Sequence, residues 1–357
     1  MTTMKQTLET CRWLYNETLA YRRDTWDEKH ENVSLFDTNK LLPIWKQYHP
    51  ELKQVYSQVL QNCQVRVDLA FKAFFRRVKS GDNPGYPRFK GKGRYDSFTY
   101  PQMGFKIKDD KLHLSKIGDV KIKLHRQIEG KIKTLTIKRS ATGKWFASFV
   151  VDIGDTPSKR EDNKAVGIDV GISSFATLSN GDKIDNMRIL KTEELNLARA
   201  QRKLSRTPKG SAERKKRLKV VQRIHERITN KRKDFIHKVS RSLVDTYRYI
   251  VFEDLTITNM LKNHCLAKAI SDVSWGMLIN ITRSKAEEAG SEVILVDPRN
   301  TSQMCSHCGA IVKKDLSART HECPHCGLVM DRDENAAINI LRLGLQSHGN
   351  AKEAPML

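Results

Sequence analysis

The sequence is poor in acidic residues and has no long apolar run. Its 357 residues include 41 Asp and Glu against 64 Lys and Arg, which gives a formal net charge of +23. No apolar stretch reaches the ~18 residues that a membrane-spanning helix needs, and the polar start at Met1–Arg12 does not have the pattern of a signal peptide. The charge predicts a polyanionic partner, but the charge alone does not distinguish DNA, RNA and an anionic membrane.

Cysteine is also scarce, and most of it is clustered. Of the 7 cysteines, Cys11, Cys63 and Cys265 stand singly, which argues against a disulfide framework and predicts a reducing, cytoplasmic location. The other four form two C-x-x-C pairs with 14 residues between them: Cys305, Cys308, Cys323 and Cys326. Paired knuckles of this kind supply the four tetrahedral thiolates that zinc prefers, so we predict a structural Zn²⁺ site.

Hydrophobic patterning divides the chain into three parts. Residues 5–80 have the three- and four-residue spacing of helices, whereas residues 96–152 alternate apolar with polar or basic side chains. The second pattern predicts a small antiparallel barrel or sheet with one basic face. A polar linker at 155–164 marks a domain boundary, and apolar strands mixed with helices follow it.

Two segments favour contact with nucleic acid over a solvated surface. Residues 81–94 are rich in Gly and Pro and mix cations with aromatics, a composition suited to phosphate contact and base stacking through Tyr86, Arg88, Phe89 and Lys90. Residues 199–241 hold 17 Lys and Arg against 3 acids and read as two helices broken at Thr207–Gly210. The phosphate-binding positions predicted there are Arg202, Lys203, Arg214, Lys215, Lys216, Arg217, Lys231, Arg232 and Lys233.

Three acids could carry chemistry. Asp169 lies inside an apolar β pattern, Glu253 ends another, and Asp333 opens a helix beyond the cysteine pairs. A charge in an apolar strand is costly without a partner, and a divalent cation is the natural partner for converging carboxylates. Such a triad could hold two Mg²⁺ or Mn²⁺ ions for phosphodiester chemistry. From spacing alone, a purely structural role for each acid remains equally open.

Four motifs in a fixed order resemble a known family. They are Gly167-Ile168-Asp169-Val170-Gly171, Phe252-Glu253-Asp254-Leu255, the cysteine pairs ending in Gly327, and Asp331-Arg332-Asp333-x-Asn335-Ala336-Ala337-x-Asn339-Ile340. This order resembles the TnpB (OrfB) proteins of insertion sequences, RNA-guided DNA nucleases related to the type V CRISPR effectors. The segments Cys11–Asn16 and Phe71–Arg77 also fit, and Arg76 and Arg77 join the expected nucleic-acid contacts.

The resemblance implies an α+β multidomain protein. Residues 1–95 would form a helical recognition lobe, and residues 96–160 a wedge-type β-barrel. Residues 161–302 and 328–345 would form an RNase H-like (RuvC) nuclease domain around a zinc ribbon at 303–327, with a tail at 346–357. Because the chain begins almost inside the first helix, at Met4-Lys5-Gln6, we expect the family's opening barrel strand to be missing.

The same resemblance implies a function. The chain would be a transposon-encoded, Mg²⁺-dependent endonuclease that is guided by RNA from the transposon end and cuts double-stranded DNA beside a short motif. Asp169, Glu253 and Asp333 would be catalytic, with Asp331 as the alternative third acid. Gln61 and Thr99 align with positions that contact the adjacent motif, although helix packing and a structural strand hydroxyl are the alternatives. No membrane partner is expected.

Two other functions fit the same residues. One is a guide-dependent DNA-binding regulator that does not cleave, although all three acids are retained. The other is a transposase in which the same acids catalyse strand transfer, a reaction that an RNase H-like site can support.

Overall fold

The computed structural model describes residues 2–154, 158–255, 274–315 and 318–348. The chain separates into two compact units, Met1–Gly154 and Asp155–Leu357. Cys265, residues 155–157 of the predicted linker and most of the predicted tail lie outside the described residues. No described helix has the length and apolar character needed to cross a membrane.

Helices occupy the first part of the first unit, as the sequence periodicity predicts. They are α1 (Thr2–Lys29), α2 (Leu35–Tyr48), a 3₁₀ turn (Pro50–Gln54) and α3 (Ser57–Lys79). The start of α2 is fixed by a capping box, in which Ser34 and Asp37 each accept a hydrogen bond from the other's backbone N–H.

Six short strands complete the first unit. They are β1 (Ser97–Tyr100), β2 (Phe105–Lys108), β3 (Lys111–Leu114), β4 (Gly118–Lys121), β5 (Lys131–Arg139) and β6 (Trp145–Asp152). They form two antiparallel sheets, β1–β5–β6 and β2–β3–β4, so closure into one barrel remains a prediction. The fourth strand ends at Lys121, opposite Lys111, where its partner β3 begins. Helices and sheets share one apolar core.

The second unit is built on a five-stranded mixed sheet. Its strands are β7 (Ala165–Val170), β8 (Ser174–Leu178), β9 (Lys183–Asp185), β10 (Tyr249–Glu253) and β11 (Glu292–Val296), in the order β11–β10–β7–β8–β9. The strands β7, β10 and β11 are parallel, whereas β8 and β9 continue from β7 as antiparallel hairpins. The carboxyl ends of β7 and β10 therefore meet at one edge of the sheet.

Four described helices and a small hairpin surround this sheet. They are α4 (Ile189–Ser205), α5 (Ala212–Thr246), α6 (Trp275–Ala289), β12 (Thr320–Glu322), β13 (Val329–Asp331) and α7 (Arg332–Ser347). The last helix lies very close to β7, because a Cβ added at Gly167 would stand 2.1 Å from the carbonyl oxygen of Ala337. This close approach lets the amino-terminal turn of α7 lie near the carboxyl end of β7.

Candidate functional site

The four clustered cysteines form a compact thiol site. Their ligand atoms all lie within 4.8 Å of one another. The Sγ atoms of Cys305 and Cys326 are 3.6 Å apart, as are those of Cys308 and Cys323. Four sulfurs held ~2.3 Å from a tetrahedral zinc ion would be separated by about 3.8 Å. The predicted cysteine cluster is therefore confirmed, and its donor set fits Zn²⁺.

Tight backbone turns shape the two knuckles. The N–H groups of Gly309 and Gly327 donate to the carbonyl oxygens of Cys305 and Cys323, each over 2.9 Å. Both glycines have φ near +75°, at 78° and 75°, a region that L side chains adopt only with strain. Desolvation opposes ionisation of Cys323, but hydrogen bonds from the backbone N–H groups of His325 and Cys326 lower the pKa of this thiol to about 6. A lowered pKa favours the thiolate that binds metal.

The first two acids meet at the carboxyl edge of the parallel strands. Ile168 is paired with Phe252 in the register of β7 and β10, so Asp169 and Glu253 come next on neighbouring strands. Burial raises the pKa of Asp169 well above its ordinary value, and the charges of Glu253 and Asp333 raise it further. The structure thus brings like charges together away from water, a situation that a divalent cation would relieve.

Glu253 is held by a hydroxyl group. Its side chain is buried, and burial raises its pKa. Thr301 opposes that shift, because its Oγ1 donates to Glu253 Oε1 over 2.5 Å. The threonine comes just before the first cysteine knuckle, 48 residues after the acid that it contacts.

Asp331 and Asp333 have different partners. Asp331 caps α7, since its Oδ1 accepts from the N–H groups of Asp333 (2.9 Å) and Glu334 (3.2 Å). Its Oδ2 is 2.7 Å from Lys183 Nζ. Asp333 lies within the first helical turn, 3.0 Å from Arg332 Nη2. Among the described residues only the four cysteines bring three or more potential ligand atoms within 4.8 Å of one another, so the acids interact over longer distances.

Two buried asparagines link α7 to the first knuckle. Nδ2 of Asn335 and of Asn339 both donate to the carbonyl oxygen of Met304, over 2.8 and 2.7 Å. Asn335 Oδ1 accepts from Ser306 N–H over 2.9 Å, and Asn339 Nδ2 also donates to the carbonyl oxygen of Thr301. Sequence reasoning assigned no role to these residues or to Thr301. The available signal was polar amides, four residues apart, on an otherwise apolar helix face.

The predicted aromatic and basic segment is anchored on α1. The N–H of Lys90 donates to Asn16 Oδ1 over 2.7 Å, and Asn16 Nδ2 donates back to the Lys90 carbonyl over 3.0 Å. Tyr86, Arg88 and Phe89 are all exposed. The segment is thus anchored at Lys90, and the role of its exposed side chains in nucleic-acid contact remains a prediction.

The other predicted contacts of the first unit differ in accessibility. Arg76 and Arg77 are exposed at the end of α3, and Gln61 is exposed in the same helix. Thr99 is half-buried, and its hydroxyl is bonded to Arg66 Nη2 and to Thr136 Oγ1, each over 2.9 Å. The Thr99 hydroxyl therefore has partners within the fold.

The basic helices α4 and α5 contain some cations that have partners within the fold and others that are exposed. Arg214 is half-buried and donates to the carbonyl oxygens of Leu204 and Thr207, each over 2.7 Å, so it joins the two helices. Arg217 pairs with Glu213 and Lys231 with Glu193, while Arg232 is half-buried. The remaining predicted cations are exposed: Arg202, Lys203, Lys215, Lys216 and Lys233.

Comparison with protein families gives two matches. Residues 148–264 match the OrfB_IS605 family, described as "Probable transposase". Residues 275–340 match the TNB domain of Cas12f1-like proteins.

Curated proteins match along most of the chain. A "Putative RNA-guided DNA endonuclease" of Streptomyces pristinaespiralis is 37% identical over 96% of this chain and 85% of its own length. "Putative RNA-guided DNA endonuclease InsQ" of Escherichia coli K12 is 31% identical over 96% of this chain and 88% of its own length.

A solved structure of Cas12f1 has a similar fold. The Cas12f1 chain, from a complex with sgRNA and target DNA, aligns with a TM-score of 0.60, covering 94% of this chain and 81% of that one at 15% sequence identity. At this identity the likeness concerns the mixed α/β fold.

Proposed function

The chain belongs to the TnpB (OrfB) family, and on this basis we propose that it is an RNA-guided, metal-dependent DNA endonuclease encoded by a transposon. Its partners would be a guide RNA from the transposon end and double-stranded target DNA, cut beside a short adjacent motif. The observation that carries the proposal is the placement of the half-buried Asp169 on β7 beside Glu253 on β10. Desolvation and the charges of Glu253 and Asp333 raise the pKa of Asp169.

We assign the second unit to a RuvC-like nuclease. Its sheet combines three parallel strands with an antiparallel hairpin, and the acids come from the ends of β7 and β10 and the start of α7. The thiol site would be the zinc ribbon inserted between β11 and α7. In the first unit, the helices would be the recognition lobe and the strands the wedge domain.

The residues at the edge of the sheet suit a divalent cation. Asp169, Glu253 and Asp333 offer hard carboxylate oxygens. Glu253 is buried and Asp169 half-buried, which limits access of competing water. Bound there, Mg²⁺ or Mn²⁺ would activate water and stabilise the leaving oxygen of the phosphodiester. The chain itself positions the carboxylates, with Glu253 oriented by the Thr301 hydroxyl.

Asp333 is the better third acid. The oxygens of Asp331 are bonded to the first two N–H groups of α7 and to Lys183. Metal binding by Asp331 would compete with this cap, whereas Asp333 contributes more strongly than Asp331 to the raised pKa of Asp169. We therefore assign Asp331 to capping and Asp333 to the metal site.

The exposed cations of α4 and α5 would provide the electrostatic surface for nucleic acid. Residues 199–241 carry a net +14, from 17 cations and 3 acids, out of the chain's +23. Neutralising phosphates with such cations releases counterions, so binding should weaken as salt increases.

Cleavage of a plasmid library tests the proposal. The full chain, co-expressed with its flanking transposon-end RNA, would be incubated in Mg²⁺ with and without EDTA. Asp169→Ala is compared with Asp185→Ala, which removes an exposed carboxylate from β9 of the same sheet. We expect guide-directed cuts that EDTA and Asp169→Ala abolish and that Asp185→Ala retains.

The alternatives give different products. Target binding without cutting would overturn the nuclease assignment in favour of a DNA-binding regulator. Joined transposon ends produced by the protein alone would establish a transposase, and cleavage by Asp169→Ala at the rate of the unmodified chain would overturn the assigned site.

A further inference from the structure

A series of buried hydrogen bonds connects the first cysteine knuckle to Glu253. Thr301 Oγ1 donates to Glu253 Oε1 over 2.5 Å, and the carbonyl oxygen of the same threonine accepts from Asn339 Nδ2 over 2.9 Å. That amide also donates to the carbonyl oxygen of Met304, 2.7 Å away and adjacent to Cys305. The exposed fractions of Glu253, Thr301 and Asn339 are 8%, 3% and 0%. The contacts are therefore shielded from competing water.

Asn335 holds the same knuckle from the preceding turn of α7. It donates to the Met304 carbonyl over 2.8 Å and accepts from the Ser306 N–H over 2.9 Å. Both residues that flank Cys305 are thus bonded to one helix, whose first turn carries Asp333. This helix therefore contacts the thiol site and also carries one acid of the acid site.

The hydroxyl of Thr301 has a specific task at Glu253. A buried carboxylate that loses its donor is desolvated without compensation, which favours the protonated form and other side-chain orientations. Groups that orient a ligand carboxylate in this way contribute strongly to metal affinity. Thr282 provides a contrast, because it is fully buried in α6 and its Oγ1 has no hydrogen-bond partner among the described residues.

We propose that Thr301 is a positioning residue for the nuclease metal, and that Asn339 transmits the geometry of the cysteine knuckle to it. The inference rests on the proposed function, since it takes Glu253 as a metal ligand. It assigns the thiol site a second role beyond local folding: to set the conformation of the loop that orients this carboxylate.

The test compares matched threonine substitutions in the full chain bound to its guide RNA. Thr301→Val removes the hydroxyl at nearly constant volume, Thr301→Ser keeps it, and Thr282→Val makes the same change at the buried threonine of α6. Two quantities are measured: the Mg²⁺ concentration for half-maximal cleavage, and Mn²⁺ binding by electron paramagnetic resonance. Asp169→Ala identifies the Mn²⁺ that belongs to the nuclease site and not to RNA.

We expect Thr301→Val to raise the half-maximal Mg²⁺ concentration and the Mn²⁺ dissociation constant by about tenfold or more. Thr301→Ser and Thr282→Val should stay within about twofold of the unmodified chain, and zinc content and melting temperature control for folding. Equal metal affinity in the valine and unmodified proteins would overturn the inference. Equally weakened metal binding in Thr301→Val and Thr301→Ser would also overturn it, because loss of the hydroxyl would then not be the cause.

Asn339→Ala tests the link to the knuckle. It should weaken metal binding less than Thr301→Val, and adding it to Thr301→Val should change affinity by no more than about twofold, because both act through one network. If the two substitutions weakened metal affinity independently, so that their fold-changes multiplied in the double variant, transmission through Asn339 would be contradicted. If the unmodified chain cuts no DNA, the proposed nuclease fails, yet Mn²⁺ binding still decides the role of Thr301.

Discussion

The thiol site and the acid site differ in how the chain builds them. The thiols come from two short knuckles, and their ligand atoms lie within 4.8 Å of one another. The acids come from two strands and a helix far apart in sequence, and Asp333 pairs with Arg332 while the pKa of Asp169 is raised. The thiol site is thus formed by one short stretch of chain, whereas the acid site depends on how the sheet and α7 assemble.

The difference has an electrostatic origin. Neighbouring thiols can share protons and pack closely, whereas converging carboxylates repel one another unless a cation lies between them. Local turns are enough for the first arrangement. The second needs supporting groups, and here Thr301, Asn335 and Asn339 form the support that joins the two sites.

The largest expected effect distinguishes the two acids that flank Arg332. Asp333→Asn removes a proposed ligand, and losing several kcal/mol of transition-state stabilisation would slow cleavage by about a hundredfold or more. Asp331→Asn should remain within about threefold, because Asn caps a helix as well as Asp does. Single-turnover cleavage in saturating Mg²⁺ measures both. The reverse order of effects would identify Asp331 as the ligand and the cap as secondary.

A smaller effect is expected when the thiol site is broken. Cys323→Ser replaces a buried thiolate with a hydroxyl, so zinc content should fall from about one ion per chain. The metal would hold both knuckles together, and the first knuckle is joined to Thr301 through Asn339. Cleavage should therefore fall by about tenfold and need more Mg²⁺.

The matched control for the thiol site is His325→Ser, an exposed change within the same knuckle. Metal analysis should find its zinc content unchanged, and its cleavage should equal that of the unmodified chain. Full activity in zinc-free Cys323→Ser protein would show that the two sites act independently.

The sequence predicted those features that are encoded locally. The cysteine spacing identified the thiol site, and an apolar strand containing Asp169 and another ending in Glu253 indicated converging acids. Alternation predicted the strands of residues 96–152, and the break at Thr207–Gly210 correctly separated α4 from α5. The cap at Asp331 was not predicted, although Asp before a run of helix formers is a common N-cap.

Contacts between distant segments could not be read in this way. The Thr301 hydroxyl reaches Glu253 across 48 residues, and Asn339 reaches the Thr301 carbonyl across 38. A single sequence does not show which buried amide meets which carbonyl, because the pairing follows from how α7 packs on β7. Basic periodicity likewise did not distinguish Arg214, which joins α4 to α5, from the exposed cations beside it.

The smallest expected effect concerns the basic residues of α5. Arg214 has two carbonyl partners within the fold, whereas Lys215 and Lys216 are exposed. Replacing both lysines by Gln should weaken guide-RNA binding severalfold and reduce the salt slope of log Kd by about 1 for each phosphate that is no longer neutralised. Arg214→Gln should instead lower the free energy of unfolding by about 1–3 kcal/mol, because two carbonyls lose their donor.

Filter binding over a range of salt concentrations, with thermal unfolding of the same proteins, separates the two outcomes. An unchanged salt slope in the double lysine variant would show that Lys215 and Lys216 do not contact RNA phosphates. A reduced slope in Arg214→Gln, without loss of stability, would show that this arginine leaves its carbonyl partners to bind phosphate. Electrostatic contact with RNA should therefore depend on exposed cations of α5, while the half-buried Arg214 preserves the turn that presents them.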